Sequence, residues 1–301
     1  MLPLQLSSGD LVADRRADYA RMLFEAGDFA AARDLMRDTL ALVPAWVAGW
    51  YRLGEICEAA GSAMAATAMF REALRLDPAD RLGAGLKLAA AGHALAPNAA
   101  PAAFVEALFD QYAHDFDESL VERLNYRVPE VLADALLRTA PEAFAHAVDL
   151  GCGTGLMAER LVGRVSFIEG VDISSGMLKC AAAKRLYGRL THADIAAFDF
   201  AADVDLVTAA DVFIYVGALD ALFTRLERLS AGAIFAFSAE AFEGDGDMVL
   251  RPSRRYAHSE SYLRRLLHPS FDLQAMERTM IRMDRGHPIE GFVIVARRKA
   301  P

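Results

Sequence analysis

No run of eighteen or more uninterrupted apolar residues occurs among the 301 residues, so no membrane-spanning helix is expected. The opening MLPLQLSSGD lacks a basic segment leading into a long apolar core, which argues against a secretory signal. Cysteine is scarce. Cys57, Cys152 and Cys180 stand far apart with no CxxC pair, so neither a disulfide framework nor a zinc or other metal site is expected. A reducing cytoplasm is the simplest home for such a chain. Positive charge is also short: the net charge of −9 argues against nonspecific binding to nucleic acid. One local basic patch remains, RPSRRYAHSESYLRR. What is present is 54% hydrophobic and 24% charged, the balance of a soluble globular chain long enough for one large domain or two ordinary ones.

Residues 13–100 are alanine-rich, with helical periodicity. A repeat of 34 residues runs through them: Gly27 and Gly61, Ala32 and Ala66, Pro44 and Pro78. The second copy carries Trp50, Leu53, Gly54, Gly61, Ala66, Phe70, Ala73 and Pro78, and it resembles a tetratricopeptide repeat. Small residues there let two antiparallel helices cross closely. The first copy has Arg16 where the tryptophan would sit. A third helix near 81–95 reads as a cap, and APNAAPAA as a linker. The expected division is residues 1–100 for the repeats and 101–301 for the rest, with 101–140 forming helices and 141–301 an α/β core.

From residue 146 short apolar runs alternate with helical segments. Strands are expected near 146–150, 166–171, 188–193, 203–209, 232–238, 271–282 and 289–298, with helices near 155–163, 174–186, 218–229 and 259–267. That alternation predicts an α/β fold with a parallel sheet covered on both faces. The last two strands are joined only by DRGHP, too short for a parallel crossover, so they should form an antiparallel hairpin.

The stretch AVDLGCGTG places Gly151, Gly153 and Gly155 between a strand and a helix. Glycines at that turn let a ligand approach the backbone, and free amides at a helix start favour electron-rich groups. A dinucleotide fingerprint asks for GxGxxG, but Leu156 stands where its last glycine belongs. S-adenosylmethionine (SAM) needs no pyrophosphate site. VDLGCGTG resembles the first motif of class I SAM-dependent methyltransferases. FIEGVDIS ends a strand at Asp172, some twenty residues on, where a carboxylate can accept from both ribose hydroxyls. THADI offers Asp194 to the adenine amino group, and VDLVTAADVF borders the methyl-transfer point.

Together with FDQYAHDFDESLVERLNYRVPEVL, DVFIYVGAL, FAFSAE and RPSRRYAHSESYL, these motifs are similar to those of a bacterial family of predicted methyltransferases that carry tetratricopeptide repeats. The resemblance implies a Rossmann-like seven-stranded sheet of order 3-2-1-4-5-7-6, with SAM as methyl donor and S-adenosylhomocysteine as product. Cofactor contacts are then expected from Tyr112, Asp149, Gly151, Cys152 (through its backbone), Gly153, Gly155, Asp172, Ile173, Met177, Asp194 and Ile195. Phe116 is a weaker candidate beside Tyr112. Asp211 and Tyr215, after the fourth strand, are expected to face the acceptor. Glu240 to Arg255 reads as a flap, with Arg254, Arg255 and Tyr256 as ligands for an anionic acceptor and His258 as a base, its ordinary pKa being about 6.5. The acceptor is a small molecule or a protein. AADV replaces the NPPY-like tetrad, which disfavours amino-group methylation of nucleobases or glutamine. The repeats invite a protein partner, and a repeat adaptor that binds SAM without turnover is the alternative.

Overall fold

The stretch that repeats every 34 residues folds as two helical hairpins. In this computed structural model, which describes residues 7–113, 116, 126–140, 142–284 and 286–300, α1 (Leu11–Glu25) pairs with α2 (Phe29–Leu42) and α3 (Val47–Ala59) with α4 (Ala63–Leu76). Helices α2 and α4 begin and end 34 residues apart at both termini. Gly27 and Gly61 take φ of +82° and +72°, the left-handed turn that ends the first helix of each hairpin. Gly54 lies against the Phe70 ring, with no room for a methyl group, so α3 and α4 approach closely. The helix expected over 81–95 is shorter, α5 (Ala84–Ala90), because Gly83 and Gly92 adopt positive φ at its two ends.

The chain divides into two compact units between Leu108 and Phe109, within α6 (Ala102–Tyr112). The second unit continues with α7 (Val128–Thr139) and then alternates: β1 (Phe144–Leu150), α8 (Leu156–Leu161), β2 (Val165–Asp172), α9 (Ser175–Lys184), β3 (Arg189–His192), β4 (Leu206–Ala209), α10 (Asp220–Leu226), β5 (Ile234–Glu240), β6 (Met248–Leu250), β7 (Tyr256–His258), α11 (Glu260–Leu267), β8 (Phe271–Asp284) and β9 (His287–Arg298). One seven-stranded sheet runs β3-β2-β1-β4-β5-β9-β8. Its first five strands are parallel, and β9 is antiparallel to both β5 and β8. This is the order 3-2-1-4-5-7-6.

Side-chain alternation explains the layers. On β5, Phe235 and Phe237 enter one core with Phe213, Phe223 and Phe271. Ile234 and Ala236 enter the other, with Leu132, Leu136, Met157 and Leu161. Burial on both faces makes the strand continuously apolar up to Phe237. Glu240 ends the same strand, also buried.

The expected flap is partly regular. Met248–Leu250 and Tyr256–His258 pair as a two-stranded antiparallel sheet. Arg251 to Arg255 make its turn, with Arg254 at φ +64°.

Candidate functional site

Three positive φ values in a row build the turn after β1: +60° at Gly151, +53° at Gly153 and +95° at Gly155. The neighbours of the three glycines differ. A methyl group on Gly151 would lie 2.6 Å from Val212, and one on Gly155 would lie 3.1 Å from Tyr187. Among the described residues, a methyl on Gly153 would meet the Phe116 ring alone, at 4.0 Å. Gly151 and Gly155 therefore pack, while Gly153 has no close neighbour among those residues.

Asp172 lies beside the same turn. It ends β2, 7% exposed, and its carboxylate accepts backbone N–H groups, Oδ2 from Gly153 at 2.8 Å and Oδ1 from Ser174 at 2.8 Å, with Ile173 a third donor. Burial raises its pKa, opposed by these amides. Ile173, half-buried, accepts His192 Nε2 on its carbonyl at 2.7 Å. Asp194 is exposed and caps its own turn through Ala196 N–H, with half-buried Ile195 beside it. Met177 is wholly buried in α9.

Asp149 lies deeper than a surface ligand. It is 1% exposed and accepts from Thr208 Oγ1 at 2.7 Å and from Tyr187 Oη at 2.8 Å. It thereby ties the end of β1 to β4 and to the turn after α9. Desolvation pushes its pKa up to about 6, against these two hydrogen bonds. Cys152 is buried against Gly170, its thiol pKa well raised by burial, and its N–H bonds to Val171 carbonyl. A nucleophilic thiolate has no support there.

Tyr112 is half-buried at the end of α6, and its phenol pKa is raised by burial and then by the nearby Tyr215. Phe109 packs edge-on against Tyr215 at 5.4 Å. The same end of α6 is fixed by Asp110, whose Oδ1 accepts from Ser174 Oγ at 2.6 Å and from Gly176 N–H at 2.8 Å. Tyr215 also hydrogen-bonds Arg255, which pairs with Asp284 at 3.3 Å. Tyr112, Tyr215, Arg254 and Arg255 thus come together electrostatically. Tyr256 does not join them: its ring is wholly buried against Gly217.

The base expected at His258 is placed otherwise. The ring is 0% exposed, and Nε2 faces the carbonyls of Val216 at 3.0 Å and Gly217 at 2.9 Å. Carbonyls only accept, so the ring proton sits on Nε2, and Nδ1 is buried with no hydrogen-bond partner among the described residues. Desolvation lowers the pKa of the ring. His258 braces the backbone after β4 from inside.

Against this geometry, residues 147–231 match the family model described as "Methyltransferase domain". The match runs from β1 to the turn after α10. The chain is 35% identical over 127 residues to a trans-aconitate 2-methyltransferase of Acidovorax sp. (strain JS42), covering 41% of this chain and 49% of that protein. It is 40% identical over 87 residues to human methyltransferase-like protein 27, covering 28% and 35%. The chain spans about half the length, or less, of the curated relatives it matches. A Burkholderia thailandensis 1,6-didemethyltoxoflavin-N1-methyltransferase superposes with a TM-score of 0.52 at 18% identity, covering 69% of this chain and 94% of that one. That likeness is one of fold.

The segment after β4 holds a buried ionic group. Asp211 takes φ +60°, its N–H donates to Ser238 Oγ at 2.8 Å, and its carboxylate pairs with Arg282 at 2.7 Å. Arg282 also pairs with Glu240, which pairs with Arg251 at 2.6 Å. Sequence reasoning did not single out Arg282, Glu240, Tyr187 or Asp110. Their partners lie 71, 42, 38 and 64 positions away, and no local spacing signals such contacts.

Proposed function

We propose that this chain is a SAM-dependent methyltransferase acting on a carboxylate-bearing acceptor. The observation that carries the cofactor reading is the Asp172–Gly153 pair, a buried carboxylate bonded to the glycine of the turn with no close neighbour among the described residues. The residues present suit SAM. Gly153 leaves room for close approach, the Asp172 carboxylate suits the ribose hydroxyls, and exposed Asp194 is the carboxylate we assign to the adenine amino group. When bound, SAM supplies a methyl carbon already activated by its positive sulfur. The chain's task is then to orient the acceptor and exclude water, and orientation alone is worth roughly 7–11 kcal/mol.

The acceptor reading rests on Arg255 and Tyr215, with Arg254 next in the chain. A guanidinium beside a phenol is suited to an anion, since it donates charge-assisted bonds. A carboxylate carries no proton to remove at neutral pH, so no base is required. The interior placement of His258 agrees with that. The bacterial relatives carry a name whose acceptor, trans-aconitate, is a polycarboxylate, which supports the same class.

We read the two hairpins of the first unit as tetratricopeptide-like and as a docking surface for a protein partner, which is supported by the 34-residue offset. Three free cysteines suit a reducing cytoplasm.

The test is calorimetry with SAM, followed by labelled SAM offered with a panel of mono-, di- and tricarboxylates that includes trans-aconitate. SAM binding and label recovered as a methyl ester are the expected results. Absence of SAM binding overturns the cofactor reading. Label found only on protein, in an extract of the native host, overturns the small-carboxylate reading.

A further inference from the structure

Two adjacent residues of β8 are both buried: Ile281 at 1% and Arg282 at 2%. Successive residues of a regular strand face opposite sides, so this needs a local break. The break is present. Met280 pairs with Glu290 and Arg282 with Ile289, leaving Ile281 as an extra residue, a β-bulge. Gly291 on β9 makes room, since a methyl there would lie 2.9 Å from Ile281. Ile281 then packs with Tyr126 and Val128. Arg282 reaches over the sheet to Asp211, after β4, and to Glu240, at the end of β5.

A buried guanidinium between two carboxylates is costly unless its geometry is held. Its Nε has no hydrogen-bond partner among the described residues. Asp211 is held just as firmly, in a left-handed conformation rare for a non-glycine residue and with its N–H on Ser238. Its neighbour Val212 is the side chain against which Gly151 rests. The ion pair therefore joins the far edge of the sheet to the glycine turn after β1.

We propose that Arg282 is a positioning residue for the methyl-transfer reaction: the bulge at Ile281 aims it at Asp211, and it fixes that carboxyl group at the exit of β4. The charged groups facing Asp211 are Arg282 and Arg255, with Tyr126 and Glu240 close by. Only the two arginines oppose the burial of the Asp211 carboxylate. Removing Arg282 leaves two buried carboxylates near each other, and one of them takes up a proton. The proposal rests on the methyltransferase reading for its kinetic consequence but not for its structural one.

The experiment follows the Asp211 carboxyl carbon by NMR against pH in wild type, Arg282→Gln and Arg282→Lys, with SAM affinity measured on each. In Arg282→Gln the midpoint should move upward by at least one pH unit. In Arg282→Lys, which keeps the charge, it should stay within half a unit. SAM affinity should change less than threefold in both. With an acceptor in hand, kcat/KM should fall at least tenfold in Arg282→Gln, recover in part in Arg282→Lys, and show an activity limb displaced to higher pH. An unmoved midpoint in Arg282→Gln, or an unchanged pH profile, overturns the proposal. Should Arg282→Gln fail to fold, Glu240→Gln gives the same reading from the other carboxylate: the Asp211 midpoint moves down as its negative neighbour disappears, and a fixed midpoint overturns the proposal. Failure of wild type to bind SAM sinks the methyltransferase reading and leaves the titration result standing.

Discussion

Gly153 donates its N–H to Asp172 Oδ2 at 2.8 Å, across the gap between the ends of β1 and β2. The carboxylate so placed holds the glycine turn, and we assign it to the ribose of SAM. Asp172→Ala should therefore weaken SAM binding and lower Tm together. A hydrogen bond to a charged group contributes about 1.5–3 kcal/mol, so the affinity should fall by about tenfold to hundredfold. Calorimetry and thermal unfolding without cofactor measure the two effects. Equal SAM affinity in Asp172→Ala and wild type would remove Asp172 from the cofactor site.

The three glycines of the turn separate into packing and binding roles. Gly151→Ala forces a methyl group to 2.6 Å from Val212 at a positive φ, and both steric clash and backbone strain lower Tm. Gly153→Ala meets no clash, so only the left-handed conformation opposes it, about 1–2 kcal/mol. Its methyl instead projects into the space where the cofactor is proposed to lie. The expected pattern is a larger fall in Tm for Gly151→Ala and, at Gly153, a larger fall in SAM affinity per degree of Tm lost. The reverse order would place the ligand on the other side of the turn.

How far the sequence reaches depends on how local each feature is. The glycine turn and Asp172 were legible because strand, turn, helix and next strand follow one another within about thirty residues. The sheet order was legible from the resemblance, and the final hairpin from the shortness of DRGHP. The β6–β7 hairpin was read as a flap because strands of three residues show no alternation. The bulge at Ile281 leaves no trace either, since the Gly291 that gives it room is on the neighbouring strand. His258 stood beside two arginines in a basic stretch, and that context suggested a surface. Strand alternation from Tyr256 could not tell which way β7 would turn, and the ring faces inward.

Asp149 gives a pH signature. Burial raises its folded pKa to about 6 from the ordinary carboxylate range. A raised carboxyl pKa means that the folded state binds the proton more tightly, so this group favours folding in acid. Its contribution falls as pH rises from about 4 to 6 and stays unfavourable above that. About two pH units correspond to at most roughly 3 kcal/mol. In Asp149→Asn that dependence disappears. Tm of the variant minus that of wild type, taken without SAM between pH 4.5 and 7.5, should rise with pH. A flat difference would mean that Asp149 does not titrate in this range.

His258 works in the opposite direction, and the same scans separate the two. Its folded pKa is lowered by burial, so the unfolded chain takes up a proton that the folded chain refuses. Stability from this group is complete above about pH 6.5 and falls as pH drops through that value. His258→Gln keeps a donor for the Val216 and Gly217 carbonyls but cannot titrate. Its Tm should sit below wild type at pH 8 and should lack the wild-type loss between pH 7 and 5.5 that remains after the Asp149 effect is subtracted. Turnover decides between brace and base. A buried brace predicts that His258→Gln retains SAM affinity and most of kcat at a temperature well below its Tm. A general base predicts loss of kcat by about a hundredfold or more with binding intact, and that outcome would return His258 to the chemistry.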